Sequence, residues 1–318
     1  MPNDRIERQL EELKKLRAAG ASEETAAALG KALADRVNVV AAKAAAIVAE
    51  LQLQTLIPDL RKAFARLFEK PTQADPQCWG KNAIAKALKD LGHAESKPFL
   101  RGLQHVQMEP VWNGQEDTAA VLRGTCAMAL VQCTDITRDE IILQLIEALT
   151  EEKSTVRADA ARAIEQMDGR EAVWLLRLKA RVGDREPPVT GQVLESLLHL
   201  QGQAAVLFVE RFLEDKEEEV REEAALALGG SRLPQAIEAL KGAWIKQRGR
   251  MLGPILLRAI SASWQDAAIE FLLKLVREGS RREAEDALRA LELHRDSEEL
   301  SKRIAEAAAD RGNTGTPC

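Results

Sequence analysis

Aromatic residues make up only 3% of this 318-residue chain, and tyrosine is absent. Strands draw on aromatic and β-branched side chains, so a long chain this poor in aromatics is not expected to be rich in β-structure. Cysteine is scarce too: Cys78, Cys126, Cys133 and Cys318 include no C-x-x-C pair. That pattern carries no disulfide framework, and four free thiols suit a reducing compartment. The charged start, Met1-Pro-Asn-Asp-Arg-Ile-Glu-Arg8, has no apolar signal core. No apolar run approaches the roughly 18 residues that would span a bilayer. The expected location is the cytoplasm. A basic excess is also missing, since the net charge is −5. This argues against binding nucleic acid through bulk phosphate neutralisation, though a local basic stripe is still open. G-x-G-x-x-G, P-loop and G-x-S-x-G motifs are all absent.

What is present is material for helices. Hydrophobic residues reach 46% and charged residues 30%, with Ala, Leu, Glu, Arg and Lys prominent, all strong helix formers. The main signal is a repeat. Val156-Arg-Ala-Asp-Ala-Ala-Arg-Ala-Ile164 and Val220-Arg-Glu-Glu-Ala-Ala-Leu-Ala-Leu228 both read V-R-x-x-A-A-x-A-[IL], and Leu122-Arg-Gly-Thr-Cys-Ala-Met-Ala-Leu130 fits the same frame. Weaker copies start at Val40, Gly80, Val189, Leu252 and Glu283, so successive starts lie 31 to 42 residues apart. That is the length of a helix–turn–helix unit.

Within each copy, the small or apolar positions 0, 4, 5, 7 and 8 share one helix face, with Ala where two helices must come close. A turn follows, such as Met167-Asp-Gly-Arg170 or Gly229-Gly-Ser-Arg232. A second helix then repeats apolar residues at offsets 17, 20 and 24: Val173, Leu176 and Ala180; Val206, Val209 and Leu213; Ile237, Leu240 and Trp244; Ile269, Leu272 and Val276. One such pair cannot bury its own face, whereas stacked neighbours build a continuous core.

These motifs resemble the HEAT family, in particular the short HEAT-like repeats first named for phycobilin lyases. The match is good at Val156–Arg221 and extends over about 38–310. The resemblance implies an all-α fold, a right-handed α-α superhelix of the HEAT-like α-solenoid kind. It also implies that the second helices line a concave binding side. The chain departs from longer HEAT units in having no regular proline in the first helix; Pro254 is isolated. Residues 1–36 read as a helical cap pair, with Ile6, Leu10, Leu13 and Leu16 on one face and Ser22 as an N-cap. Residues 37–310 form the array of eight units, and residues 311–318 a disordered tail. Inserts near 70–78 and 107–118 lengthen the first two steps. Insertions in solenoids map to loops and often serve binding.

Four constellations invite a functional reading. Rare residues gather around the inserts: Cys78, Trp79, His93, His105, Met108, Trp112, Cys126 and Cys133. Their spacings match no zinc pattern, and buried cysteine behaves as a small hydrophobe, so no metal or other cofactor is expected. Trp112 lies outside the core pattern; it either plugs its loop onto the solenoid or anchors a partner. The second-helix face offers Trp174, Arg177, Leu178, Arg181, Leu207, Arg211, Lys241, Leu273 and Lys274 away from the buried set. Trp and Arg often carry interface energy. Arg123, Arg157 and Arg221 recur at offset 1 and suggest a ladder near acidic residues of the preceding turn, such as Asp215 and Glu217–Glu219. The four His are dispersed, and none precedes a Glu, whereas the di-iron hydroxylases with HEAT-like repeats use paired His-Glu dipeptides. The expected function is a scaffold that binds a protein partner through its concave face, rather than an enzyme. The alternatives are a nucleic-acid-binding or DNA-repair type using a basic groove from Arg177 to Lys274, and a lyase-type accessory protein.

Overall fold

The computed structural model describes residues 2–247 and 252–313. The chain forms two compact units, residues 1–167 and 168–318. The division falls between the two helices of the copy that starts at Val156.

The first unit opens with the cap pair α1 (Pro2–Ala19) and α2 (Glu23–Leu33). Ser22 caps α2 by accepting from the Thr25 amide at 3.0 Å. Leu13 and Leu29 are buried between this pair and the first repeat. Repeats follow as α3 (Asn38–Glu50) with α4 (Ile57–Arg66), then a short turn α5 (Pro71–Ala74), then α6 (Trp79–Asp90) with α7 (Lys97–Leu103). Strands β1 (Met108–Val111) and β2 (Gly114–Asp117) come next, then α8 (Ala120–Leu130) with α9 (Arg138–Thr150), and α10 (Ser154–Met167). First helices pack on first helices, α3 on α6, α6 on α8 and α8 on α10.

The second unit opens with α11 (Gly169–Val182) and continues through the pairs α12 (Pro187–Gln201) with α13 (Gln203–Glu210), α14 (Glu218–Gly230) with α15 (Pro234–Lys246), α16 (Gly253–Ala262) with α17 (Asp266–Glu278), and α18 (Arg281–Leu291) with α19 (Glu298–Asn313). Here α12, α14, α16 and α18 form the row of first helices, while α13 packs on α15 and α17 on α19. The fold is an all-α solenoid architecture of stacked helix pairs. Helix α19 runs through Asn313, so residues 311–313 of the expected 311–318 tail are helical, and residues 314–318 lie outside the described residues.

The repeat frame explains the core. Positions 0, 4, 5, 7 and 8 are buried in all three strong copies, from Leu122 to Leu130, Val156 to Ile164 and Val220 to Leu228. Small side chains are needed there because first helices approach closely. The limit is reached at Gly229 in α14, where a Cβ would run into the Ala259 carbonyl of α16. On the second helices the buried set is as expected except at Val173, which is half-buried. Leu273, expected on the surface, is 1% exposed; the apolar stripe of α17 is wider than the three-position frame and takes in an extra turn position.

The offset-1 cations form a repeating contact with backbone carbonyls. Arg157 donates to the Glu151 and Glu152 carbonyls at 2.8 and 2.6 Å. Arg221 donates to the Asp215 and Lys216 carbonyls at 2.8 and 3.2 Å. Lys81, at the same frame position, reaches the Leu67 carbonyl at 3.3 Å. Each cation therefore serves carbonyls at or just beyond the end of the preceding second helix, where backbone acceptors lack intrahelical donors and the helix dipole favours positive charge. Arg123 adds ion pairs to Asp117 at 2.6 Å and Glu151 at 2.8 Å to its bond with the His105 carbonyl, and Lys81 likewise pairs with Asp75 at 3.1 Å.

Gly229→Val forces α14 and α16 apart. The expected loss is about 1–3 kcal/mol, read as a lower midpoint of thermal unfolding, whereas Gly230→Ala, with open space at its Cβ, should leave the midpoint near that of the wild type.

Candidate functional site

The second insert is not an irregular loop. It is a two-stranded antiparallel hairpin with Val111 opposite Gly114 and Met108 opposite Asp117. Trp112 and Asn113 form the tip. Gly114 sits at φ 138°, a backbone conformation that disfavours any side chain. Trp112 is 100% exposed. Its ring does not plug the hairpin onto the solenoid.

A buried polar network holds the base of this hairpin. Asp75 and Lys81 form a fully buried ion pair at 3.1 Å. The Asp75 carboxylate also accepts from the Gly80 and Lys81 amides at 2.7 and 2.9 Å, so it caps the start of α6 from four residues outside it. To bring Asp75 there, Gln77 and Cys78 take left-handed φ values of 58° and 57°. The Gln77 amide donates to Glu109 on β1 at 2.8 Å. Glu109 further accepts from Gln107 and from the Thr118 hydroxyl. At the other strand, Asp117 accepts from the Gln107 and Ala119 amides and pairs with Arg123.

The electrostatics follow from these bonds. Burial raises the pKa of Glu109 and Asp117, but the donors aimed at them outweigh it. Gln107, Thr118 and Gln77 hold Glu109 below the ordinary carboxylate range, and Arg123 does the same for Asp117. His105, which meets Gln107 at 3.1 Å, is pushed below its ordinary value by burial. Burial moves the nearby thiols the other way, Cys78 up to about 12 and Cys133 up to about 11, with Cys126 raised as well. All three are free and buried, so none is a ready nucleophile. Among the described residues no group of three His, Cys, Asp or Glu is arranged to hold a metal ion.

The second surface lies in the second unit. Trp174, Leu178 and Val182 follow one another at four-residue steps along α11 and are 62%, 61% and 75% exposed. Leu207 on α13 is 74% exposed. The cations expected beside them divide into two groups. Arg177 lies 4.7 Å from the Phe208 ring centre and donates to Gln201 at 2.8 Å. Lys241 pairs with Glu238 at 2.9 Å and sits 5.5 Å from the Phe271 ring centre. Lys274 pairs with Glu278 at 3.8 Å. Arg181 and Arg211 are exposed and have no partner among the described residues. At the end of α11, a cavity of about 420 Å³ opens between Arg181, Val182, Asp184, Phe212 and Val220.

Sequence reasoning found the apolar stripe through the helical frame but missed Val182, which falls outside the offsets considered. It also missed the hairpin, for which Asn113-Gly114, a dipeptide typical of tight hairpins, was the available signal.

Residues 175–252 match the family model of HEAT repeats, in keeping with the HEAT-like repeats read from the sequence. No curated relative matches it. Similar solved structures include human deoxyhypusine hydroxylase in complex with glycerol, at 18% identity and a TM-score of 0.30, covering 92% of this chain and 91% of that one. The complex of CpcE and CpcF of phycocyanin lyase from Nostoc sp. PCC7120 matches at 18% identity and a TM-score of 0.37, covering 79% and 94%. Among the described residues no helix is long and apolar enough to cross a membrane.

Two predictions concern buried ionisable groups. Arg123→Met strands the buried Asp117 carboxylate and should destabilise the protein by about 3 kcal/mol, whereas Trp112→Ser should change stability by less than about 0.5 kcal/mol; thermal unfolding of both variants decides. The second concerns pH. His93, His105 and His294 are pushed by burial below their ordinary value of 6.5, so their neutral forms favour the folded state fully above that value and progressively less as pH falls below it. Glu109 and Asp117, ordinarily 4.5 and 3.8, contribute stability that is lost as pH falls through their lowered values. The unfolding midpoint should decline in two stages on acidification, and Glu109→Gln should blunt the second.

Proposed function

We propose that this HEAT-like repeat protein is a cytoplasmic docking scaffold that holds a protein partner on the second-helix face of its second unit, with the Trp112 hairpin as a separate point of attachment. The observation that carries the reading is the exposed stripe of Trp174, Leu178 and Val182 on α11, with Leu207 also exposed on α13. Large apolar side chains grouped this way on a rigid helix face lose their unfavourable hydration when a partner covers them. Arg181 and Arg211, having no partner among the described residues, supply the polar rim, so the matching surface is apolar and edged by carboxylates or backbone carbonyls. Unpaired cysteines accord with a reducing compartment.

A nucleic-acid groove on the same face draws on a continuous row of cations. Arg177, Lys241 and Lys274 are engaged within the solenoid, which weakens that alternative.

Trp174→Ala and Arg211→Glu are expected to weaken capture of the same specific partner by about tenfold, or 1.4 kcal/mol, in affinity purification from the native host, with far-UV circular dichroism unchanged. Recovery of identical partners at wild-type levels by both variants sinks the assignment of this face. Titration with duplex and single-stranded nucleic acid at rising salt checks the alternative, which requires a steep log-linear fall in affinity.

A further inference from the structure

A different surface in the first unit carries its own ligand chemistry. Helices α4 and α7 are second helices of successive repeats and pack on one another. Both begin with the same pattern, Pro58-Asp-Leu-Arg61 and Pro98-Phe-Leu-Arg101, in register with the step from Val40 to Gly80. Each proline lies in the first helical turn. Stacking therefore sets proline beside proline and arginine beside arginine. Between them lies a groove of about 440 Å³ with Pro58, Phe64, Ala65 and Pro98 as its apolar lining, flanked by Arg61, Lys62, Lys97 and Arg101.

We propose that this groove binds an acidic linear segment of a partner protein, with one bulky apolar side chain of the segment seated on the proline–alanine floor.

The charge balance of the groove selects the partner. Arg61 is tied to Glu95 at 2.7 Å. Lys62 is only loosely paired, 4.0 Å from Asp59 with a side chain 81% exposed. Lys97 has no partner among the described residues. Arg101 lies 4.3 Å from the Phe68 ring centre and has no carboxylate partner among those residues. Stacking on the ring holds its guanidinium while the N–H edge stays available to a carboxylate. In a chain of net charge −5, this is a local excess of uncompensated positive charge over an apolar floor. Carboxylates on a partner would be attracted and oriented by that field. The floor volume accommodates one large side chain, which sets the position of the segment. Single-stranded nucleic acid fits less well. It needs exposed aromatic faces for base stacking, and Phe64, the aromatic in the lining, is 2% exposed. The proposal does not depend on the second-unit face binding anything.

The test uses the full-length protein and a displayed random library of peptides about twelve residues long, sufficient to cross a groove of this size at ~3.3 Å per extended residue. The expected result is enrichment of sequences that flank a bulky apolar residue with Asp or Glu. A fluorescent synthetic copy of an enriched peptide should bind the Lys62→Glu/Lys97→Glu double variant at least about tenfold more weakly. Ala65→Trp, which fills the floor, should weaken it similarly, and Arg211→Glu on the other surface should leave it unchanged. Lys62, Lys97 and Ala65 are exposed, and circular dichroism confirms that the variants fold. The proposal is overturned if nothing is enriched, if the enriched peptides are neutral or basic, or if both groove variants retain wild-type affinity. It is also overturned if a single-stranded oligonucleotide binds more tightly than the peptide and with a steep salt dependence. Loss of peptide binding in Arg211→Glu alone would move the site to the second-unit face.

Discussion

The spacing between neighbouring first helices governs most of what this chain does with its sequence. Alanine and glycine recur along α8 in the first unit and along α12, α14 and α16 in the second because side chains there face the next helix at close range, down to the backbone approach at Gly229. That row fixes the rise from one repeat to the next. The second helices are then carried at the same rise, and their outward side chains fall into register. The Pro58/Pro98 and Arg61/Arg101 pairs are a product of that register, as is the Arg177 contact with Phe208.

Repetition also handles an electrostatic problem. Each second helix ends with carbonyls that no amide of its own turn can reach. A cation at the second frame position of the following first helix meets them in several repeats, as Lys81, Arg157 and Arg221 show. Arg66 and Arg311 do the same from second helices, toward the ends of α2 and α17. Repeats are thus joined by packing on one side and by charge-assisted hydrogen bonds at the turns.

The fold was legible in the sequence wherever a position recurs. The frame V-R-x-x-A-A-x-A-[IL] places buried residues correctly in α8, α10 and α14 because small size, helical period and repeat length all agree. Features that occur once were not legible. The hairpin interrupts a single repeat, and its anchoring residues, Asp75, Lys81, Glu109 and Asp117, are spread over more than one repeat in sequence. Ordinary-looking charges gave no sign that they would be buried together. The surface cations were misread for a related reason. Whether Arg177 or Lys241 is available depends on the aromatic residue of the next repeat, Phe208 or Phe271, which a single-helix pattern does not include. The α4–α7 groove escaped notice because the first two steps are long and the frame there is faint.

The hairpin separates two kinds of residue cleanly. The charged and polar groups at its base, Asp75, Lys81, Gln107, Glu109, Asp117 and Arg123, are buried and bonded to partners. At its tip, Trp112 is fully exposed. Change at the tip is thereby uncoupled from the integrity of the solenoid, so the two-residue turn can diversify freely among descendants of this chain while its handle stays constant. The same property makes it a natural graft point: a recognition sequence inserted between Val111 and Gly114 would be displayed on a rigid stem whose placement the rest of the molecule has already determined.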